Sequence, residues 1–70
     1  MNDFKITKKI ATIGEKPGGW RLELNIVKWN QHPEKLDLRS WNQDHTRCGK
    51  GITLTEAEAA ALCAALEAIV

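Results

Sequence analysis

Residues 20–41 read WRLELNIVKWNQHPEKLDLRSW, and the alternation within them decides the fold. Trp20, Leu22, Leu24 and Ile26 recur at period two, with Arg21, Glu23, Asn25, Val27 and Trp29 on the opposite parity. That is the pattern of a half-buried strand, whose successive side chains point to opposite faces. After the loop His32-Pro33-Glu34 it resumes, with Leu36 and Leu38 on one face and Lys35, Asp37, Arg39 and Trp41 on the other. Placing Trp29 opposite Lys35 makes an antiparallel hairpin in which Ile26 meets Leu38, Asn25 meets Arg39 and Glu23 meets Trp41. The large aliphatics then share one face, and a slip of one residue would mix them with charges, so burial favours this parity. The expectation is a leucine face in the core, with Trp20 on it. Trp29 and Trp41 then lie exposed on the polar face, six rungs or about 20 Å apart at about 3.3 Å per residue.

Working outward, FKITKKIATIGE, residues 4–15, carries β-branched residues at loose period two and ends at Lys16-Pro17-Gly18-Gly19, a turn signal. Downstream, the polar loop Asn42 to Arg47 leads to a short fourth strand, Gly49 to Leu54. Gly49 and Gly51 around Lys50 predict a bulge or a close backbone approach. The period then changes. Thr55 with Glu58 three residues on forms a capping box, and Glu56 and Glu58 sit where the helix dipole favours acids. The spacing predicts a helix from Thr55 to Ile69 with an apolar stripe of Ala59, Leu62, Cys63, Leu66, Ile69 and Val70, backed mostly by alanine.

Seventy residues make a single domain, 1–70, and one this short buries only about 60% of the surface its unfolded chain exposes. Such chains need a supplement, and the alanine-backed helix predicts that a second subunit supplies it. The two cysteines, Cys48 and Cys63, allow at most one bridge. The start MNDFKITKKI lacks the apolar run of a signal peptide, and no stretch approaches the roughly 20 apolar residues of a membrane span, so a cytoplasmic, reduced protein is expected. His45 and Cys48 are the one close pair of metal ligands, too few for a structural zinc site, and no motif points to a cofactor or to catalysis. Cys63 reads as a small buried hydrophobe.

The net charge of +1 hides a division. Residues 1–53 hold ten Lys and Arg against six acids, a balance of +4, whereas residues 54–70 hold three acids and no base. Two indoles among Arg21, Lys35 and Arg39 suit single-stranded nucleic acid, whose unstacked bases offer π-faces while its phosphates attract cations. The same pattern is compatible with tryptophans rimming a subunit interface, or with a sugar-binding face.

Lys50-Gly51-Ile52-Thr53-Leu54 before the acid-started helix, together with Leu36-Asp37-Leu38-Arg39-Ser40-Trp41, resembles the Positive Cofactor Four family of transcriptional coactivators. Gly19-Trp20-Arg21, Trp29-Asn30 and Asp44-His45 are similar to its short bacterial branch, so the likeness runs along nearly the whole chain from Phe4. The resemblance implies an α+β fold: a strongly curved four-stranded antiparallel sheet followed by one C-terminal helix, dimerised partly through the helices. It also implies binding of single-stranded DNA along the sheets with little sequence preference, in transcription regulation or strand protection. The family's aromatic and basic positions fall on Trp29, Trp41, Arg39 and Lys50; eukaryotic members place their tryptophan one residue farther from the arginine than Trp41 lies from Arg39. The expected site is stacking on Trp29 and Trp41 with phosphate contacts from Arg21, Lys35, Arg39 and Lys50, aided by Lys5 or Lys9. RNA, or a protein or sugar on the same face, is the alternative ligand.

Overall fold

A computed structural model describes residues 3–70. Four strands form one antiparallel sheet in chain order, β1 (Phe4–Glu15), β2 (Arg21–Trp29), β3 (Lys35–Trp41) and β4 (Cys48–Leu54), followed by a single helix, α1 (Glu56–Ile69). The expected architecture is therefore present in a single chain. A 3-10 turn at Pro17–Gly19 joins β1 to β2, where Gly18 and Gly19 take φ of 78° and 81°, a region that L side chains rarely adopt.

The hairpin register differs from the expected one by two residues. Lys35 pairs with Val27 rather than Trp29, and the ladder runs through Asn25↔Asp37 and Glu23↔Arg39 to Arg21↔Trp41. Period two makes this slip invisible to face assignment, since each side chain keeps its side. Its cause is cross-strand pairing: Leu24 now meets Leu38 and Ile26 meets Leu36. The expected register would have matched only Ile26 with Leu38, and opposed aliphatic pairs stabilise a ladder. Lys28 and Trp29 instead extend β2 against β1, pairing with Lys5 and Phe4. Asn30 then turns the chain at φ 50° and exchanges two hydrogen bonds with Asp3: its amide donates to the Asp3 carbonyl at 2.7 Å and its Oδ1 accepts from the Asp3 amide at 2.8 Å.

The pairing of β1 with β2 shifts register three times, between Ile6 and Lys8, Lys9 and Ala11, and Thr12 and Gly14. Each such irregularity bends a strand and adds twist. The sheet consequently curls about its polar face, which reverses the expected burial. Among the described residues Val27, Trp41, Glu23, Asn25 and Asp37 are the buried ones, and all five lie on that concave side. The leucines of β2 and β3 are only half-buried. Trp20, expected in a core with them, is likewise only half-buried, at the entrance to β2.

Thr55 caps α1 as its sequence predicts, its hydroxyl accepting from the Glu58 amide at 3.1 Å while Glu58 accepts from the Thr55 amide at 2.8 Å. The helix nonetheless buries none of its residues and meets the sheet chiefly beside β4. Between them runs an apolar groove of about 300 Å³ lined by Leu24, Leu38, Leu54, Leu62 and Leu66 among others. Cys63, expected to be buried, is exposed on this groove. The radius of gyration is 12.7 Å, against roughly 11 Å for a compact domain of this length.

Candidate nucleic-acid interface

The curl gathers residues that a flat sheet would hold apart. Trp29 and Trp41 were expected about 20 Å apart and exposed; their rings lie 6.3 Å apart between centroids and within 11° of parallel. Coiling of β2 and β3, with two long side chains leaning inward from opposite ends, closes that distance. Phe4, brought beside Trp29 by β1, fills the remaining space at 5.5 Å from Trp29 and 5.0 Å from Trp41. The His45 ring covers Trp41 from the far side at 5.6 Å. Trp41 is fully enclosed, 0% exposed, and its indole Nε1 has no hydrogen-bond partner. The exposed stacking surface expected of Trp41 is therefore absent in the single chain, whereas Trp29 stays half-exposed and Phe4 is 37% exposed.

Beneath the aromatics runs a row of buried polar groups. Asp37, 0% exposed, receives the Arg39 Nε at 2.8 Å and Nη2 at 2.7 Å, and accepts from the Trp29 indole N–H at 3.3 Å. One carboxylate thus fixes both members of a cation–π pair, with the Arg39 guanidinium 4.7 Å from the Trp29 ring centroid. Burial disfavours the Arg39 charge, but Asp37 outweighs it and holds the guanidinium above its ordinary value. Glu23 forms the second node, with His45 Nε2 at 2.9 Å, Asn25 Nδ2 at 3.1 Å and Arg21 Nε at 3.3 Å. Burial alone would raise the Glu23 carboxyl; the hydrogen bonds from His45 and Asn25, with attraction from His45 and Arg21, prevail and hold it below the usual carboxylate range. His45 reaches Glu23 because it turns left-handed at φ 60° and docks its amide on the Asn42 carbonyl at 3.1 Å.

The expected cations divide into two groups. Arg21 and Arg39 are engaged with the acids of the concave floor. Lys9, Lys35 and Lys50 are exposed and make no ion pair among the described residues. Lys9 pairs with Asn25 and so faces the groove of about 320 Å³ that it lines with Thr12, Arg21 and Glu23. Lys35 stands at the hairpin end, near enough to α1 that its charge helps hold the Glu58 carboxyl low, after the larger effect of the Thr55 hydrogen bonds. Lys50 lies where the β3–β4 ladder shifts register, on the outer strand. Lys5 pairs with Lys28 and so belongs to the opposite parity from Lys9.

Gly51 sits opposite Arg39 so closely that a Cβ would run into the Arg39 Cβ and the Leu38 carbonyl oxygen, the close backbone approach that its sequence context predicts. Among the described residues no three of His, Cys, Asp and Glu gather as metal ligands do, and no helix is long and apolar enough to cross a membrane. No motif or period signals the parts played by Phe4, Glu23, Asp37 and His45. Phe4 is the chain's single phenylalanine, at the start of a strand whose alternation does not say which strand it meets. Buried acids become visible only once the concave face is known to close.

The fold and this face define a class: small α+β proteins built on one curled antiparallel sheet, with an aromatic and basic concave side and a single trailing helix. The sequence profile described as Transcriptional Coactivator p15 (PC4) matches residues 16–65. An uncharacterized protein of Treponema pallidum (strain Nichols) is 44% identical over 59 residues, covering 84% of this chain and 69% of that relative. The chain belongs to the transcriptional coactivator p15 (PC4) family, a family of DNA-binding coactivators.

Proposed function

We propose that this chain is a non-enzymatic, dimeric single-stranded DNA-binding protein with little sequence preference, acting in transcription regulation or in the protection of exposed strands. The observation that carries the reading is the platform at the mouth of the concave face, where Arg39 lies 4.7 Å from the Trp29 ring centroid and Asp37 anchors both. Bases stack on indole and guanidinium planes whatever their identity, at about 1–3 kcal/mol per base, so such a platform binds without reading sequence. Phe4 extends the aromatic surface. Lys9, Lys35 and Lys50, free of internal ion pairs, contact the phosphates; Arg21 and Arg39, already paired, contribute less of the salt-sensitive attraction. Trp41 supports Trp29 from beneath in place of stacking on a base itself. Duplex DNA shows its bases only at groove edges and cannot use this surface.

The second subunit covers the aliphatic side. Leu62, Leu66, Ile69 and Ile52 are 39%, 46%, 78% and 51% exposed, beside the open groove between helix and sheet. The dimer so formed supplies the core that a chain of this length lacks.

Tryptophan fluorescence titrated with oligo-dT, an oligoribonucleotide, duplex DNA and an oligosaccharide at two salt concentrations tests the reading. Quenching by oligo-dT that weakens with salt supports it. Tighter binding of the oligoribonucleotide moves the ligand to RNA, and a response to the oligosaccharide alone replaces it with a sugar.

A further inference from the structure

The third tryptophan has no part in the face described above. Trp20 shares the period of the leucines and is half-buried as they are, but it lines a separate groove of about 570 Å³ with Gly18, Asn42, Gln43, Asp44 and Arg47. Among the described residues no aliphatic side chain lines that groove. An indole that had merely slipped from a core would be expected to have leucines around it, not amides and a guanidinium.

Much of the polar lining is committed to holding the loop. Asn42 Oδ1 accepts from the Arg47 amide at 2.9 Å, and its Nδ2 donates to Thr46 Oγ1 at 2.9 Å. Asp44 Oδ1 accepts from the Thr46 hydroxyl at 2.7 Å, the leading reason that its carboxyl sits below the usual range. These bonds fix the loop and leave three groups unspent among the described residues. They are the Trp20 ring, the Gln43 amide and the exposed Arg47 guanidinium, which enters no ion pair. Gly18 and Gly19, both at positive φ, keep the near wall bare; a Cβ at Gly19 would lie 3.5 Å from Gln43 Oε1, and one at Gly18 would lie 3.6 Å from Trp20 Cδ1.

We propose that this groove is a further subsite for one nucleotide of a bound single strand, with the base stacked on Trp20, its edge met by Gln43 and its phosphate by Arg47. The subsite rests on the single-strand reading given above and extends its path. Arg21, the residue after Trp20, lines the concave groove with Lys9 and Asn25, so a strand that leaves the concave face at Arg21 and rounds the start of β2 has Trp20 one residue away. Trp-Asn-Gln occurs twice in the chain, at residues 29–31 and 41–43, and the second copy thereby divides its work: Trp41 packs inward while Asn42 and Gln43 shape the neighbouring subsite.

The test measures binding of end-labelled oligo-dT of increasing length to the full chain and to Trp20→Ala, Trp20→Leu and Arg47→Ala, with a thermal melt of each. Trp20→Ala is expected to weaken the longer oligomers about tenfold, within the range of one lost stacking contact, while leaving the shortest bound oligomer unaffected. Trp20→Leu, which keeps bulk but not the flat π-face, should do the same if the alanine variant proves unstable. Arg47→Ala should lower the slope of log affinity against log salt by about 0.7, the value of one single-strand phosphate. Wild-type binding matched by all three variants at every length overturns the subsite and leaves the single-strand reading standing. A wild-type chain that binds no oligonucleotide overturns both.

Discussion

Asp37 accepts the indole N–H of Trp29 at 3.3 Å while holding the guanidinium of Arg39 at 2.7 Å, so one buried carboxylate sets the relative position of the two groups of the proposed stacking platform. Asp37→Asn removes the charge and keeps the shape. Arg39 then loses its ion pair while remaining largely enclosed, a change expected to cost about 1–3 kcal/mol in urea melts. Affinity for oligo-dT should fall even though the change removes a negative charge, because the indole and the guanidinium lose the group that sets them relative to one another. Affinity equal to or above the parent's would show that Asp37 does not position the two groups.

Trp29 and Trp41 each open a Trp-Asn-Gln triplet and their rings lie within 11° of parallel, yet their burial predicts different work for them. Trp41→Ala empties a fully enclosed site and is expected to destabilise the fold by about 3–5 kcal/mol, as buried aromatic truncations do. Trp29→Ala, from a half-exposed site, should cost less stability and more affinity, up to about 1–3 kcal/mol per base stacked. Thermal melts and oligo-dT titrations of both variants check the division. If Trp41→Ala melts like the parent and binds poorly, the two roles are reversed.

How far the sequence discloses this depends on the range of the interactions involved. Strand boundaries, the Pro17–Gly19 turn and the capped helix are local features, and alternation or the Thr55/Glu58 pair suffices to place them. The parity of each hairpin residue is legible as well, because Leu22, Leu24 and Ile26 cannot share a face with Asp37 and Arg39. Which face closes is not. That depends on three irregularities in the β1–β2 ladder and on Phe4 arriving from 25 positions upstream to cover Trp29, neither of which leaves a periodic trace. The two-residue register error has the same origin. Lys28 and Trp29 are claimed by β1, and only a count of aliphatic pairs across the hairpin, not their period, would have moved Lys35 from Trp29 to Val27. Candidate site residues were thus found by type and parity, while their division into buried, paired and free members required the curl.

Glu23 links the concave floor to pH. Its carboxyl lies below its ordinary value in the folded chain and returns to that value on unfolding, so between the two the unfolded state binds more protons and stability rises with pH. The contribution is fully present above the ordinary carboxylate range and is lost as pH falls through the folded value. Glu58, lowered chiefly by its bonds with Thr55, acts with the same sign. Urea melts between about pH 7 and about pH 3, spanning the carboxylate range, should show stability falling with acid, with a shallower fall in Glu23→Gln and in Glu58→Gln. An unchanged slope in Glu23→Gln would mean that the His45 and Asn25 bonds do not outweigh burial.

The helix makes the last prediction. α1 buries none of its residues in the single chain, and Leu62 and Leu66 look onto an apolar groove that is open to solvent. An apolar face of this kind on a chain of 70 residues predicts an obligate partner, and a second copy supplies the same face. The protein should sediment as a dimer at micromolar concentration, and its melting temperature should rise with concentration, as mass action requires of subunits that stabilise one another. Leu66→Glu places a charge in that contact without touching the concave side. It should yield a species near the chain mass of 7.8 kDa that melts lower and no longer responds to concentration. A wild-type chain already at that mass would remove the dimer, and the exposed stripe of α1 would then be a property of the monomer.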